Sequence, residues 1–195
     1  MGRDCMDRGE NVMMVRADLE GVPAHSLPEG YSLRRYRPGD AKVWTRIWTA
    51  ADRFGSIAPE TFIREFGDCD DVLAERQLYL CGPDGREVGT ATAWFGRPEI
   101  DSRAGVVHWV AVLPEMQGTG LAKPLMSAVL GRLRALGYGR AYLITQEARA
   151  AAVNLYLRFG FRPEIRDEPE RAAWERLRAR LPGSLLDDLS LEERS

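Results

Sequence analysis

The stretch that decides the fold is residues 106–136, V-V-H-W-V-A-V-L-P-E-M-Q-G-T-G-L-A-K-P-L-M-S-A-V-L-G-R-L-R-A-L. It begins with a valine-rich apolar run, which is typical of a buried strand. Pro114 follows this run, and a turn with glycines at positions 118 and 120 comes next. Leucine and valine then recur at helical spacing, at positions 121, 125, 129, 133 and 136. The stretch therefore predicts a strand, a turn and a helix.

The glycine turn predicts an anion-binding site. Gly118 and Gly120 allow a tight turn that exposes several backbone N–H groups at the N-terminus of the predicted helix, where the helix dipole favours negative charge. A dinucleotide-binding fingerprint requires a third glycine where Lys123 stands, and a Walker loop requires lysine directly after the second glycine. The spacing excludes both classes. What remains is a cradle suited to a pyrophosphate.

The composition is that of an ordinary soluble globular protein. Of the 195 residues, 45% are hydrophobic and 29% are charged, and the formal net charge is -2. This balance gives no overall attraction to nucleic acid or to a membrane surface, and no apolar run approaches the about 20 residues of a membrane span. The chain start lacks the apolar core of a signal peptide. We therefore expect a cytoplasmic protein with no nucleic-acid or membrane partner.

The cysteines give no sign of a metal site. Cys5, Cys69 and Cys81 are far apart and lack any C-x-x-C spacing, which favours a reduced protein without a structural metal. Basic charge is almost all arginine, and alanine and glycine are frequent, as is typical of a GC-rich bacterial genome.

The chain divides into three regions. Residues 1–29 show no lasting period and predict a partly ordered, loosely attached N-terminal extension. Residues 30–166 predict one domain, in the order strand, two helices, antiparallel hairpin, long strand, helix, strand, helix and short strand. Residues 167–195 predict an amphipathic helix at 169–181 and a tail packed on the same domain. This order predicts an α+β or mixed α/β fold with helices on both faces of a sheet.

Two motifs make the chain resemble the GCN5-related N-acetyltransferase (GNAT) family. The family's acyl-CoA loop, Q/R-x-x-G-x-G/A, is matched by residues 117–122, Q-G-T-G-L-A, after the V-L-P of residues 112–114. The signature A-x-x-x-Y-x-x-x-G-F is matched by Ala152, Tyr156, Gly160 and Phe161. The resemblance covers roughly residues 31–165. It implies a central, mixed, mostly antiparallel sheet that splays between its fourth and fifth strands.

The resemblance also implies acetyl-CoA as a co-substrate and a set of residues that bind it. The pantetheine arm would lie against the backbone of Val110, Ala111 and Val112. The diphosphate would lie on the loop and the first helical turn, at Gln117, Gly118, Thr119, Gly120, Leu121, Ala122 and Lys123. Many members place an asparagine seven residues before the signature tyrosine, where this chain has Arg149. Asn154, two residues before Tyr156, is the cofactor-binding candidate in its place.

The catalytic candidates follow from the same resemblance. Tyr156 resembles the family's general acid, and a backbone N–H of Val110 or Val112 suits the developing oxyanion. Val106 stands where some members carry a glutamate base. His108 resembles a strand histidine that arylalkylamine acetyltransferases use, and strand alternation puts it on one face with Val106, Val110 and Val112. Glu147 and a chain of waters are the alternatives for the base.

Two functions compete at this point. The first is an acetyl-CoA-dependent N-acetyltransferase that acts on a primary amine, a small molecule in preference to a protein, by direct attack in a ternary complex. The second is a non-catalytic acyl-CoA-binding or regulatory module, because Val106 replaces the strand glutamate. Acceptor walls are expected from residues 44–66 and 97–103, with Glu99 and Asp101 as candidate contacts for a cationic amine. Whether the chain forms a homodimer is left open.

Overall fold

A computed structural model describes residues 9–52, 55 and 57–182 of the chain. The strands are β1 (Asn11–Arg16), β2 (Ser32–Arg35), β3 (Gln77–Cys81), β4 (Glu87–Trp94), β5 (Ala104–Val112), β6 (Arg140–Gln146) and β7 (Arg162–Glu164). The helices are α1 (Ala41–Ala51), α2 (Thr61–Phe66), α3 (Asp70–Arg76), α4 (Pro98–Asp101), α5 (Ala122–Ala135), α6 (Ala150–Arg158) and α7 (Glu168–Arg178), with a 3₁₀ turn at Pro114–Met116. Within the described ranges, no helix is long and apolar enough to cross a membrane.

The strands form one mixed sheet in the order β2-β3-β4-β5-β6-β1-β7. Every neighbouring pair in the described chain is antiparallel except β5 and β6, which are parallel. Helix α2 covers one face, where Phe66 packs on Trp94 with their ring centroids 5.2 Å apart. Helix α5 covers the other, where Leu133 lies against Gly105 and leaves no room for a side chain. The predicted mixed sheet with helices on both faces is confirmed.

Strands β5 and β6 separate after a short common stretch. They pair at Ala104 with Arg140, Gly105 with Ala141, and Val106 with Tyr142. Both strands continue, to Val112 and Gln146, but the described residues contain no further pair between them. Counted from β2, these are the fourth and fifth strands, where the resemblance implies a splay. The gap therefore opens toward the carboxyl ends of β5 and β6.

The N-terminal segment differs from the expectation of a loosely attached extension. Residues 11–16 form β1, which lies between β6 and β7 and pairs with β6 along its whole length. Met14 is fully buried and Met13 is 3% exposed. The run V-M-M-V is apolar at every position, because a strand inside a sheet that is covered on both faces need not alternate. Residues 1–8 lie outside the described part of the chain.

The C-terminal segment forms a helix at nearly the predicted positions. Helix α7 spans Glu168–Arg178, against a predicted 169–181, and its Asp167 cap accepts from the amide of Glu170. Trp174 and Leu177 are buried core residues. The short helix α3 was not predicted from the sequence, because its seven residues carry no proline, glycine or clear apolar period.

We predict that Met14→Ala lowers the free energy of unfolding by about 2–5 kcal/mol, because it leaves a cavity in a fully buried strand. Denaturant unfolding measures the change. Asn11→Ala is the matched control, since Asn11 is exposed on the same strand and its loss should cost less than about 0.5 kcal/mol. Equal, small effects of the two substitutions would show that β1 is not an integral strand.

Candidate functional site

The loop between β5 and α5 presents a row of backbone N–H groups. Gly118 and Gly120 have φ of 79° and 87°, and a Cβ at either position would meet nothing within 4 Å. Residues 117–120 are exposed. In the described ranges, none of the amides of residues 118–122 donates to another backbone carbonyl. These N–H groups stand at the N-terminus of α5, so the loop fits the phosphate groups predicted for it.

Two side chains brace this loop without covering its amides. The Thr119 hydroxyl donates to the carbonyl oxygen of Met116 at 2.7 Å. The Gln117 side-chain amide donates to the carbonyl oxygen of Val112 at 3.0 Å, which fixes the loop to the end of β5. Lys123 is exposed one residue inside α5, where its charge is available to a bound anion.

The gap edge of β5 offers the backbone of alternate residues. The amide of Leu113 donates to Val88 of β4 at 2.8 Å, so by strand alternation the backbone of Ala111 also faces β4. The backbone groups of Val110 and Val112 therefore face the gap. Of the three predicted pantetheine contacts, Val110 and Val112 are placed for backbone hydrogen bonds and Ala111 is not.

A β-bulge in β5 corrects one sequence expectation. Ala111 pairs with Thr90 and His108 pairs with Thr92, so Trp109 and Val110 together face Ala91. Trp109 has φ of 50°, which is uncommon for a residue other than glycine. Val112 pairs with Gly89, three residues from Thr92, and so lies on the opposite face from His108. The expectation that His108, Val106 and Val112 share a face is wrong for Val112, because the extra residue reverses the alternation.

The bulge brings the rings of His108 and Trp109 to one carboxylate of α2. His108 Nε2 lies 3.5 Å from Glu65 Oε2, and the Trp109 indole N–H donates to the same oxygen at 3.2 Å. The His108 side chain is 26% exposed and that of Glu65 is 24% exposed, so both are reachable from solvent. His108 also packs edge-on against Phe66 at 5.7 Å between centroids. Sequence reasoning missed Glu65, since nothing local marks an α2 glutamate as the partner of a distant strand.

The contact with His108, together with the Trp109 and Arg64 contacts, lowers the pKa of the Glu65 carboxyl to about 2, against the opposing effect of burial. Glu65 is thus an anion throughout the neutral range and a weak proton acceptor. Its value to the site is as a fixed negative charge and a hydrogen-bond acceptor.

Tyr156 lies on α6 with its side chain buried, 8% exposed as a residue. Burial raises the pKa of its phenol to about 12, and the nearby Arg149 guanidinium acts in the opposite direction. The phenol is therefore protonated at neutral pH, as a proton donor must be. Intervening side chains connect the surroundings of Tyr156 to those of His108. The guanidinium carbon of Arg149 lies 6.0 Å from the ring centroid of Trp48. Trp48 in turn packs on Trp109, the chain neighbour of His108, with 4.6 Å between ring centroids.

The model of the acetyltransferase (GNAT) family matches residues 44–161, which include β5, the glycine loop, α5, β6 and α6. The chain belongs to this family. A mycothiol acetyltransferase from Thermobispora bispora is 35% identical over 167 residues, 80% of this chain and 55% of the relative. One from Streptomyces griseus is 36% identical over 141 residues, 69% of this chain and 44% of the relative. The chain thus spans about half the length of the curated relatives it matches.

Solved structures of GNAT proteins share the fold. A GCN5-related N-acetyltransferase from Sphaerobacter thermophilus superposes with a TM-score of 0.66 at 24% identity, over 79% of this chain and 48% of that one. A GNAT superfamily phosphinothricin acetyltransferase from Sinorhizobium meliloti, solved in complex with AcCoA, gives 0.55 at 20% identity, over 67% and 74%. At these identities the likeness establishes the GNAT fold.

Three other candidates are occupied by contacts within the chain. Glu147, the alternative base, is buried and held by Arg176 of α7 through two contacts of 2.8 Å, which lower the pKa of its carboxyl. Arg149 binds Asp52 at the end of α1, with 2.7 Å between Nη2 and Oδ1. Asn154 accepts from Arg158 at 3.3 Å, on the exposed side of α6. Asn154 lies two residues from Tyr156, nearly opposite on the helix, so the two do not line the same surface.

The expected acceptor walls lie at different ends of the sheet. Trp44 and Trp48 of α1 are buried and pack on Trp109, as core residues near the gap. Residues 97–103 precede β5 and lie at its paired end, where Asp101 binds Arg140 at 3.1 Å. Glu99 and Asp101 line a cavity of about 290 Å³ there, at the end of the β5–β6 pair opposite to the end at which the gap opens. Phe54, which falls within the expected wall of residues 44–66, lies outside the described residues.

We predict that Glu65 makes stability depend on pH. Its folded pKa of about 2 lies below the usual value of about 4.3, so its stabilising contribution is complete above about pH 5 and is lost as pH falls toward 2. The difference in denaturant midpoint between wild type and Glu65→Gln should therefore narrow from pH 6 to pH 3. Glu60→Gln, on the exposed start of α2, is the control. If the difference in denaturant midpoint between wild type and Glu65→Gln stays constant with pH, the lowered pKa of Glu65 is contradicted.

Proposed function

We propose that this chain is an N-acetyltransferase that transfers the acetyl group of acetyl-CoA to a primary amine of a small molecule, by direct attack in a ternary complex. The observation that carries the proposal is the convergence of backbone donors on one end of the sheet. The open edge of β5 and the N–H groups of residues 118–122 meet where β5 and β6 have separated. A protonated tyrosine on α6 completes the set of groups that acyl transfer requires.

The donor site follows from these backbone groups. Val110 and Val112 would hold the pantetheine arm, whose amides match the N–H and C=O groups of a strand edge. The loop amides would hold the diphosphate, and exposed Lys123 would add a positive charge. Family membership supports acetyl-CoA as the donor, because the site residues lie inside the matched segment.

The chemistry is a balanced acyl transfer. The amine nitrogen bonds to the thioester carbon, the carbon–sulfur bond breaks, and the products are an N-acetyl amide and the free thiol of CoA. Val110 or Val112 donates a backbone N–H to the carbonyl oxygen as it gains charge. Tyr156 gives its phenolic proton to the departing sulfur. The proton lost by the amine goes to His108, which acts as the general base.

The acceptor is proposed to be a small amine that carries positive charge in solution. Glu65 supplies a permanent negative charge on the His108 face, and it is partly exposed. The relatives named mycothiol acetyltransferase support a small-molecule acceptor, because the compound in their name is not a protein. The competing function, a non-catalytic acyl-CoA-binding module, rests on Val106, which stands at the position of the strand glutamate.

Gly120→Trp should abolish acetyl-CoA binding measured by calorimetry, because an indole at this open, positive-φ position would cover the loop amides. Gly137→Trp is the matched control. Gly137 lies past the other end of α5, with φ of 89° and an equally open Cβ position, so it brings the same backbone strain without touching the loop. Equal affinity in Gly120→Trp and wild type would refute the proposed donor site.

Tyr156→Phe should lower kcat by about 10²–10⁴, while acetyl-CoA binding is kept, because only the proton donor is lost. Turnover is followed as free thiol released with a panel of primary amines. A release of thiol in wild type that is lost in the variant would exclude the non-catalytic module. Wild type that binds acetyl-CoA but acetylates no amine would favour that module.

A further inference from the structure

We propose that Glu65 is a positioning residue for His108. It accepts a hydrogen bond from the imidazole at Nε2 and so leaves Nδ1, with its lone pair, as the nitrogen that takes the proton of the acceptor amine. This assignment rests on the proposed function and names a residue of that same site. It adds to the site a carboxylate that the family motifs do not include.

The geometry around the Glu65 carboxylate determines which imidazole nitrogen carries the proton. Oε2 receives the Trp109 indole N–H at 3.2 Å and lies 3.5 Å from His108 Nε2, while Oε1 receives Arg64 Nε at 3.4 Å. An ionised carboxylate only accepts hydrogen bonds. In the neutral imidazole one nitrogen carries a proton and the other a lone pair. With Nε2 turned to the carboxylate, the proton lies on Nε2 and the lone pair on Nδ1.

The surroundings hold this arrangement in place. Trp109 packs against Trp44 at 5.0 Å and Trp48 at 4.6 Å between centroids, which fixes the second donor to the carboxylate. Helix α2 is anchored by Phe62 and Phe66, which are 2% and 5% exposed. Both the carboxylate and the ring therefore stand on packed elements, as a preorganised catalytic pair requires.

The residue directly across the sheet from His108 does not form a hydrogen bond with the imidazole. Thr92 is fully buried opposite His108, and in the described structure its hydroxyl has no hydrogen-bond partner. It therefore does not bind the nitrogen that Glu65 leaves uncovered. Once Nδ1 takes a proton, the imidazolium lies beside an anion that is already in position, in the way a buried aspartate supports the histidine of a catalytic triad.

The test combines spectroscopy with kinetics. The spectra report which nitrogen of His108 carries the proton, and the kinetics report separately whether Glu65 affects turnover. The chain has two histidines, His25 and His108, so ¹⁵N-resolved imidazole spectra are assigned with a single His25→Gln variant. In wild type we expect a slowly exchanging proton on His108 Nε2. In Glu65→Ala, which removes the acceptor, we expect this proton to exchange rapidly with water.

In the kinetic measurements, Glu65→Ala should lower kcat by roughly 10- to 100-fold, the range known for removal of a carboxylate that orients a metal-bound histidine. The KM for acetyl-CoA should be unchanged, because Glu65 is not part of the donor site. Glu65→Gln keeps a neutral acceptor and should fall between wild type and Glu65→Ala. Glu60→Ala, at the exposed start of the same helix, should match wild type in both readouts.

Three outcomes would overturn the proposal. They are a proton on Nδ1 in wild type, an unchanged Nε2 proton in Glu65→Ala, and a kcat that the substitution does not alter. Failure of the proposed function gives a different result. The wild-type protein would then bind acetyl-CoA without acetylating any amine, while the Nε2 proton of His108 would still exchange faster in Glu65→Ala.

Discussion

The site depends on the point at which β5 and β6 stop pairing. After Val106 and Tyr142, the two parallel strands share no further pair among the described residues. Unpaired N–H and C=O groups inside a protein are costly unless water or a ligand satisfies them. Here the Gln117 side chain donates to the carbonyl oxygen of Val112, and within the described ranges the other gap-facing groups of Val110 and Val112 have no backbone partner. A ligand with amides of its own can satisfy that edge as an added strand would.

The bulge at Trp109 sets the direction of the side chains beside the gap. An unbroken strand would place His108 and Trp109 on opposite faces, and Glu65 could reach only one of them. The positive φ of Trp109 costs on the order of 1–3 kcal/mol, and it is offset by the packing of its ring on Trp44 and Trp48 and by its hydrogen bond to Glu65. The strained residue thus brings its own indole N–H and the His108 imidazole to one carboxylate of α2.

The parts of the structure that follow local rules are the parts that could be predicted from the sequence. Residues 106–136 combine apolar runs, glycine positions and helical spacing, and each of these signals is contained within a few residues. The bulge has no such signal, because it falls on a tryptophan where glycine would be expected at positive φ. Glu65 and Asp52 were equally hidden, since their partners, His108 and Arg149, lie far along the chain. Alternation rules assume a regular strand, and the prediction for Val112 failed where that assumption did.

Strand β1 explains how β6 remains in place without β5 beside it. Over the stretch that borders the gap, β6 is held on its other edge by β1, from Asn11 opposite Gln146 to Arg16 opposite Ala141.

The same strand also fixes the helix that carries Tyr156. The Arg16 guanidinium donates to the carbonyl oxygen of Phe159, at the end of α6, and a side chain at Gly160 would collide with it. The glycine of the A-x-x-x-Y-x-x-x-G-F motif therefore makes room for a cation of β1, in addition to adopting a φ of 78°. One short strand supports both the β6 wall of the gap and the helix that carries Tyr156. The apolar residues of β1 thus serve the core, and its Arg16 serves the site.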